Sequence, residues 1–516
     1  MQKERIAAPP FGLFNREVIA WIIIILGLIC RLRQYLVNRS LWYDEALLAL
    51  KIKNFSFPEL FHPLRQLPET YMIKYQAAPF GFFALEKLLV QFLGDSEYLL
   101  RLFPFLASVL ALFLFYRLVK IYLKEWKAVV FALAIFSSSE IMIYYSSELK
   151  PYSSDVTAAL MVYLMFHYLY LKNLNFRQVV LSGIVGAILI WFSFPAIFTL
   201  LGGQMALTWV YFREKKTNLI IPLTKAGLLW ILSFFIYNAG YVSTFTHDQR
   251  LDNFWAGMYM PVYPLHMYGI EWYTLKWYFY NFFKIFKNPT GLYLPWLAGI
   301  LAIVGGRYLL RFRKGHFLIL LFPILLTLLA SAFHKYPFYS RLLNFLVPSL
   351  IIFVGAGIEK LNEKFKDKPL IVWTLVGLLL VHPFIYAGQG FFKPMLREEI
   401  KPLMHYIKKH QSQGDIVYLY FAYQYAFRYY APRYGFNPGE YIIGTSSIRE
   451  SRDYGKEFDG LKNHKRVWFL LVHVYDNDES LILSYLDQIG HNIDRIKVEG
   501  GALYLYDFSR EGKESG

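Results

Sequence analysis

The chain has 516 residues, of which 56% are hydrophobic and 18% charged, against about 45–50% and about 25% in soluble globular domains. Its mean hydropathy is +0.33, and repeated apolar runs of about 20 residues, each spanning ~30 Å as a helix, exclude a soluble fold and indicate a polytopic membrane protein. The net charge of +17 sits in short loops between apolar runs, which is the pattern of membrane orientation and argues against nucleic-acid binding. The single cysteine, Cys30, excludes an internal disulfide and a cysteine metal site.

Lys3, Arg5 and Arg16 precede an apolar run that begins at Val18. No small-residue cleavage site follows, so the expectation is an uncleaved first span over 17–37. Its strongly apolar part ends at Cys30, which leaves Arg31 and Arg33 within the membrane thickness. Such arginines face a bundle interior or polar cavity, or snorkel to the interface. A long first outer loop follows over 38–99. It carries Leu41-Trp42-Tyr43-Asp44-Glu45-Ala46 and a short apolar piece, Phe80 to Leu93, with Glu86 and Lys87 in its middle. That piece is short for a span and reads as an interfacial or re-entrant helix.

Further spans are expected at 99–119, 128–145, 154–171, 178–193, 196–212, 219–243, 291–310, 316–333, 342–358 and 369–388, eleven in all and up to thirteen. If 80–93 does not cross, the compact basic clusters all fall on one side. They are Arg117 to Lys127, Lys172 with Arg177, Arg213 to Lys216, Arg307 to Lys314, and Lys360 to Lys368. The positive-inside rule makes that side cytoplasmic. Asp44-Glu45, Glu148, His334 to Arg341 and everything after 390 then share the outer face. So does the aromatic loop 244–288, with Trp255, Tyr259, Tyr263, Trp272, Trp277 and Tyr278, either as an interfacial belt or as the wall of a lipid groove. The membrane domain is expected over 1–390 and a small α/β domain over 393–516. In that domain Glu398 to His410, 422–430 and 478–489 read as helices, and Asp415 to Phe421, Arg466 to Val474 and Ala502 to Phe508 as strands.

Three outer clusters carry candidate chemistry. Asp44 and Glu45 lie close to the membrane, where a carboxylate can act as a general base on a hydroxyl or amine, or simply favour the N-terminus of a helix running on to Lys51. In Tyr144-Tyr145-Ser146-Ser147-Glu148-Leu149-Lys150-Pro151-Tyr152, Glu148, Lys150 and Tyr152 could bind an acceptor or cation, or form a polar turn. Arg341 and Arg101 stand at outer ends of their spans. With Arg31 or Arg33 they would form a cationic ring for a lipid phosphate, unless they bind ordinary lipid headgroups. His62, His247 and His266 are not at zinc spacing, and neither a Ser-His-Asp pattern nor a phosphate-binding glycine loop is present.

These motifs, in order, resemble a known family. Trp42-Tyr43-Asp44-Glu45, Gln76-Ala77-Ala78-Pro79, Gly94-Asp95-Ser96-Glu97 with Arg101 and Pro104, and Tyr145 to Tyr152 are similar to GT-C membrane glycosyltransferases of bacteria. The resemblance is to the protein O-mannosyltransferase-like and aminoarabinose-transferase-like groups. It covers about 35–160, with weaker likeness at 335–348 and at Arg397 to Tyr430. It implies a GT-C fold and a polyprenyl-phosphate sugar as donor. It further implies Asp44 as the acidic catalytic residue with Glu45 its neighbour in the motif, so that both are expected to be catalytic, Glu148 as the acidic residue of the second outer loop, and inversion by direct displacement. A lysine expected in the family's Lys-Pro-Pro motif is replaced here, with Lys74 two residues away from Gln76. Metal use varies within the family, which leaves open a divalent cation at Asp44 and Glu148.

The expected protein is therefore a plasma-membrane glycosyltransferase with its active site and C-terminal domain outside. Asp44 accepts the acceptor's proton, and Arg31 or Arg33, Lys74, Arg101 and Arg341 hold the donor phosphate. The acceptor is a glycan, glycolipid or protein. The alternatives are a non-catalytic flippase or transporter of lipid-linked saccharide, and a polysaccharide polymerase or ligase.

Overall fold

The computed structural model describes residues 11–61, 77–171, 175–244, 254–260, 272–445 and 454–509. A helix occupies each expected span. The first is α1 (Phe11–Leu36), followed outside the bundle by α2 (Tyr43–Asn54), α3 (Phe57–Phe61), α4 (Phe80–Leu93) and α5 (Glu97–Leu100). The bundle continues with α6 (Leu102–Tyr122), α7 (Trp126–Ser138), α8 (Glu140–Tyr145), α9 (Tyr152–Leu171), α10 (Phe176–Phe192), α11 (Ala196–Arg213) and α12 (Ile220–Gly240). After the aromatic α13 (Trp272–Lys287) come α14 (Pro295–Phe312), α15 (Lys314–Ala332), α16 (Val347–Lys364) and α17 (Pro369–Phe392).

Among the described residues, seven of these helices are long and apolar enough to cross a membrane, and the bent pair α7–α8 makes an eighth. The chain is a multi-pass membrane protein. α10 is shorter, and glycine, glutamine and arginine dilute the apolar character of α11 and α14. That dilution is why composition alone counts fewer spans than the helices present.

The break between α7 and α8 bends the chain by 49° at Ser139. It leaves the last carbonyls of α7 without intrahelical donors. Arg31 supplies them from α1, donating to Phe136 O at 3.0 Å and Ser137 O at 2.9 Å. α14 and α16 cross at backbone contact. A Cβ on Gly305 would lie 2.0 Å from Phe353 O, and one on Gly357 2.1 Å from Leu301 O, so only glycine allows this approach. α16 is buried along nearly all its length and forms the centre of the bundle.

Beyond α17 the chain runs without regular structure to Glu399. It then forms α18 (Ile400–His410), β1 (Ile416–Leu419), α19 (Gln424–Tyr434), β2 (Tyr441–Ile443), α20 (Tyr454–Asp459), β3 (Arg466–Val472), α21 (Asp478–Ile489), β4 (His491–Val498) and β5 (Gly501–Asp507). The five strands are ordered β2-β1-β3-β5-β4. β1 pairs in parallel with β2 and β3, and β5 lies antiparallel to β3 and β4. Val417, Leu419, Trp468 and Leu470 line one buried face with α18 and α19, and Phe469, Tyr504 and Tyr506 line the other with α21.

This small domain is bolted onto the loop after α1. The Glu399 carboxylate accepts from Ser40 N at 3.0 Å and Ser40 Oγ at 3.0 Å. Leu41 N donates to Tyr430 Oη at 2.9 Å, and Tyr423 Oη donates to Leu41 O at 2.9 Å. Lys401 Nζ pairs with Glu97 at 3.0 Å. The helix expected from Glu398 begins two residues later, because Glu398 and Glu399 are drawn out to bind the loop.

Candidate active site

The polar cluster forms where the C-terminal end of α1 and the N-terminal ends of α2, α9 and α16 converge. Helix α2 starts at Tyr43, and its first turn carries Asp44 and Glu45, where carboxylates suit the positive end of the helix. Adjacent residues on a helix point about 100° apart, and the two carboxylates go to different surroundings.

Glu45 is fully buried. It forms a fork with Arg101, with Nε to Oε1 at 2.9 Å and Nη2 to Oε2 at 2.6 Å. Leu149 N donates to Oε1 at 2.7 Å. Burial alone would raise the Glu45 pKa, but the guanidinium charges of Arg101 and Arg39 outweigh it and hold the carboxyl below its usual range. Arg101 also donates to Arg39 O at 2.7 Å and Ser40 O at 3.2 Å. Both residues are committed to one another and to the backbone, so Glu45 fixes the loop at Leu149 against α2.

Asp44 is the open member, with 17% of its side chain exposed. Its Oδ2 lies 3.2 Å from Arg341 Nη2 and 3.8 Å from Lys150 Nζ. Arg341 comes from the 3-10 turn Ser340–Leu346 that leads into α16, and its guanidinium lies over the rings of Trp42 at 5.6 Å and Tyr152 at 5.8 Å. Lys150 is buried, and burial lowers its pKa against the pull of Asp44.

Glu148 lies behind this pair and is fully buried. Trp42 Nε1 donates to its Oε1 at 3.3 Å, whereas Oε2 has no hydrogen-bond partner among the described residues. Desolvation raises the Glu148 pKa, and the charge of Arg397 opposes that shift. Arg397 stands over Trp42 at 4.1 Å and Tyr144 at 4.8 Å. Arg39 lies on Tyr144 at 4.7 Å and donates to Ser147 Oγ at 3.0 Å and Ser147 O at 2.9 Å.

The structure thus brings together Asp44, Glu45, Arg101, Glu148, Lys150, Tyr152 and Arg341. The ring of arginines does not form as expected. Arg31 is buried among Ser108 Oγ, Gly27 O and the carbonyls of α7, and Arg101 is spent on Glu45. Arg33 is half-buried and makes no ion pair with the cluster among the described residues, and Lys74 lies outside the described residues. Reading the sequence did not single out Arg39 or Arg397 as site residues. The one local signal for Arg397 is its place in the charged run Arg397-Glu398-Glu399 directly after the last span.

Asp44 and Glu148 do not form a good seat for a divalent cation. Among the described residues no three His, Cys, Asp or Glu side chains converge. Arg341, Lys150 and Arg397 already face the two carboxylates with fixed positive charge, where a cation site would gather oxygen ligands.

No family model matches the sequence, and no curated protein does either. Solved structures do match in fold. ArnT from Cupriavidus metallidurans in the apo state aligns over 96% of this chain and 97% of its own, with a TM-score of 0.52 at 10% identity. The same protein bound to undecaprenyl phosphate aligns over 96% of this chain and 98% of its own, with a TM-score of 0.51 at 10% identity. The architecture is that of the GT-C fold, with its small C-terminal sheet domain.

Proposed function

We propose that the protein is a glycosyltransferase that moves a sugar from a polyprenyl-phosphate donor to an acceptor at the outer face of the plasma membrane. The carrying observation is Asp44: a part-exposed carboxylate held between Arg341 and Lys150 where the ends of four helices meet. Such a constellation offers a base next to fixed cations, which is what displacement of a phosphate leaving group needs. The ArnT neighbour bound to undecaprenyl phosphate supports a lipid phosphate as the donor's carrier. The distribution of basic loops supports the outer orientation.

In this reaction the acceptor's hydroxyl or amine attacks the anomeric carbon. The bond from that carbon to the phosphate oxygen breaks, and polyprenyl phosphate leaves with the bonding electrons. The acceptor's proton passes to Asp44. Arg341 and Lys150 stabilise the charge that develops on the leaving phosphate, and Arg397, stacked on Trp42, adds positive potential. Glu45 and Arg101 do not touch the reacting atoms. They hold the 148–151 loop, and so Lys150, beside Asp44. Because direct displacement uses one in-line attack, the anomeric configuration inverts.

Asp44→Asn keeps the side chain's shape and removes its basicity. Transfer of radiolabelled sugar by the purified variant should be lost while its elution profile and melting curve match the wild type. Wild-type turnover by Asp44→Asn would sink the assignment and leave a transporter as the better reading.

A further inference from the structure

Tyr43 precedes Asp44, and three segments meet on it. Trp42 is the N-cap of α2 but makes no side-chain capping bond. The cap comes instead from the linker to the C-terminal domain: Tyr43 N donates to Glu398 Oε2 at 2.8 Å. The other oxygen of Glu398 is bonded to His473 Nδ1 at 2.5 Å. A carboxylate can only accept, so Nδ1 carries the hydrogen. The His473 ring then returns to Tyr43, stacking on its phenol ring at 5.0 Å with 14° between planes. Tyr425 of α19 closes the edge at 5.9 Å. His473 follows β3 directly and has a left-handed backbone, with φ of 55°. The sheet therefore ends in a strained position that aims an imidazole at Glu398.

We propose that His473 is a positioning residue for the transfer reaction: with Glu398 it clasps Tyr43 and sets Asp44 against Arg341 and Lys150. The inference rests on the transferase reading above, and it gives the C-terminal domain a part in that chemistry. A carboxylate at a helix N-terminus is stabilising within the first turn, and Glu398 applies this to the turn that bears Asp44. His473 holds Glu398 in register, so the sheet domain acts on the catalytic turn through one side chain.

Two variants separate this role from backbone strain. His473→Gly accepts the left-handed conformation and removes the imidazole. His473→Asn also tolerates that conformation and keeps a nitrogen donor in the place of Nδ1. The full-length variants are compared in membrane vesicles from the source cells, supplied with undecaprenyl phosphate carrying labelled mannose, glucose or aminoarabinose. Amide exchange of the purified proteins over 42–48 is read in parallel.

His473→Gly should lower kcat at least tenfold with donor KM within twofold of wild type, and exchange in the first turn of α2 should rise. His473→Asn should restore both. Wild-type kcat in His473→Gly overturns the proposal, as does a kcat for His473→Asn as low as that of the glycine variant. If the wild type turns over none of the donors, the transferase reading fails with them. Unchanged amide exchange in His473→Gly overturns the clasp on its own.

Discussion

Arg341 Nη2 lies 3.2 Å from Asp44 Oδ2, and the same guanidinium rests over Tyr152. One pair thus joins the proposed base to the proposed phosphate ligand. A phosphate entering this site competes with Asp44 for Arg341 and Lys150. Replacing Asp44 by Asn removes the competitor. Asp44→Asn should therefore bind undecaprenyl phosphate about fivefold more tightly than wild type, the factor that ~1 kcal/mol of a part-exposed ion pair provides. Arg341→Ala should bind it about 10- to 100-fold more weakly, as loss of a charged hydrogen bond does. Binding measured in nanodiscs checks both, and weaker binding by Asp44→Asn would contradict the competition.

Glu45 should behave quite differently from its neighbour. Its fork with Arg101 is buried on both sides, so Glu45→Ala leaves an unpaired guanidinium inside the protein. Losing one partner of a buried pair costs about 3–5 kcal/mol. Glu45→Ala should melt far below wild type in detergent, while Asp44→Asn melts close to it.

Arg31 is expected to matter for stability and little for the donor. Its guanidinium serves the carbonyls of Phe136 and Ser137 at the end of α7. Arg31→Met leaves those carbonyls buried without donors, at about 1–3 kcal/mol each. The variant should melt well below wild type, yet bind undecaprenyl phosphate with affinity within a few-fold where it remains folded. A loss of binding as large as that of Arg341→Ala would restore Arg31 to the proposed phosphate site.

Lys51, in the α2 helix of Asp44, gives a pH signature. Burial pushes its ammonium down to about 7 from 10.5. Between those values the unfolded chain binds more protons than the folded one, so this group makes stability rise with pH across the window. Below pH 7 the full penalty of burying the charge is present, and above 10.5 it is gone. Lys51→Met should therefore stabilise most at pH 6, with the gain shrinking as pH is raised towards 10. Melting curves across pH 6–10 for both proteins measure it.

The sequence was most legible where one physical rule acts alone. Apolar length located all eleven bundle helices, and alternation with turn residues located β1, β3 and β5. The edge strands β2 and β4 were missed. β4 reads His-Asn-Ile-Asp-Arg-Ile-Lys-Val, a polar pattern suited to a sheet edge, and β2 is only three residues long. The composition of Glu398 and Glu399 fits a helix. Their place outside α18 depends on Tyr43 and Ser40, about 355 residues earlier in the chain.

The candidate site divides in the same way. The motif order singles out Asp44, Glu45, Glu148, Lys150, Tyr152 and Arg101, and the outer end of a span singles out Arg341. Their division of labour was not readable, because Asp44 and Glu45 are neighbours of like charge and differ only in what faces them. Spacing likewise puts Arg101 and Arg341 at span ends and Arg31 within its span, but whether an arginine meets a helix end, a buried carboxylate or a part-exposed one is settled by partners distant in sequence.

By itself, then, the sequence determined a multi-pass helical chain, its basic-loop asymmetry and the residues able to do chemistry, since hydropathy and side-chain type are local properties. Tertiary structure alone decided that Glu45 is buried on Arg101, that Asp44 stays open to Arg341 and Lys150, and that Glu398 and His473 reach Tyr43. The physical reason is that burial and pairing belong to the surroundings of a charge, which only the folded chain supplies.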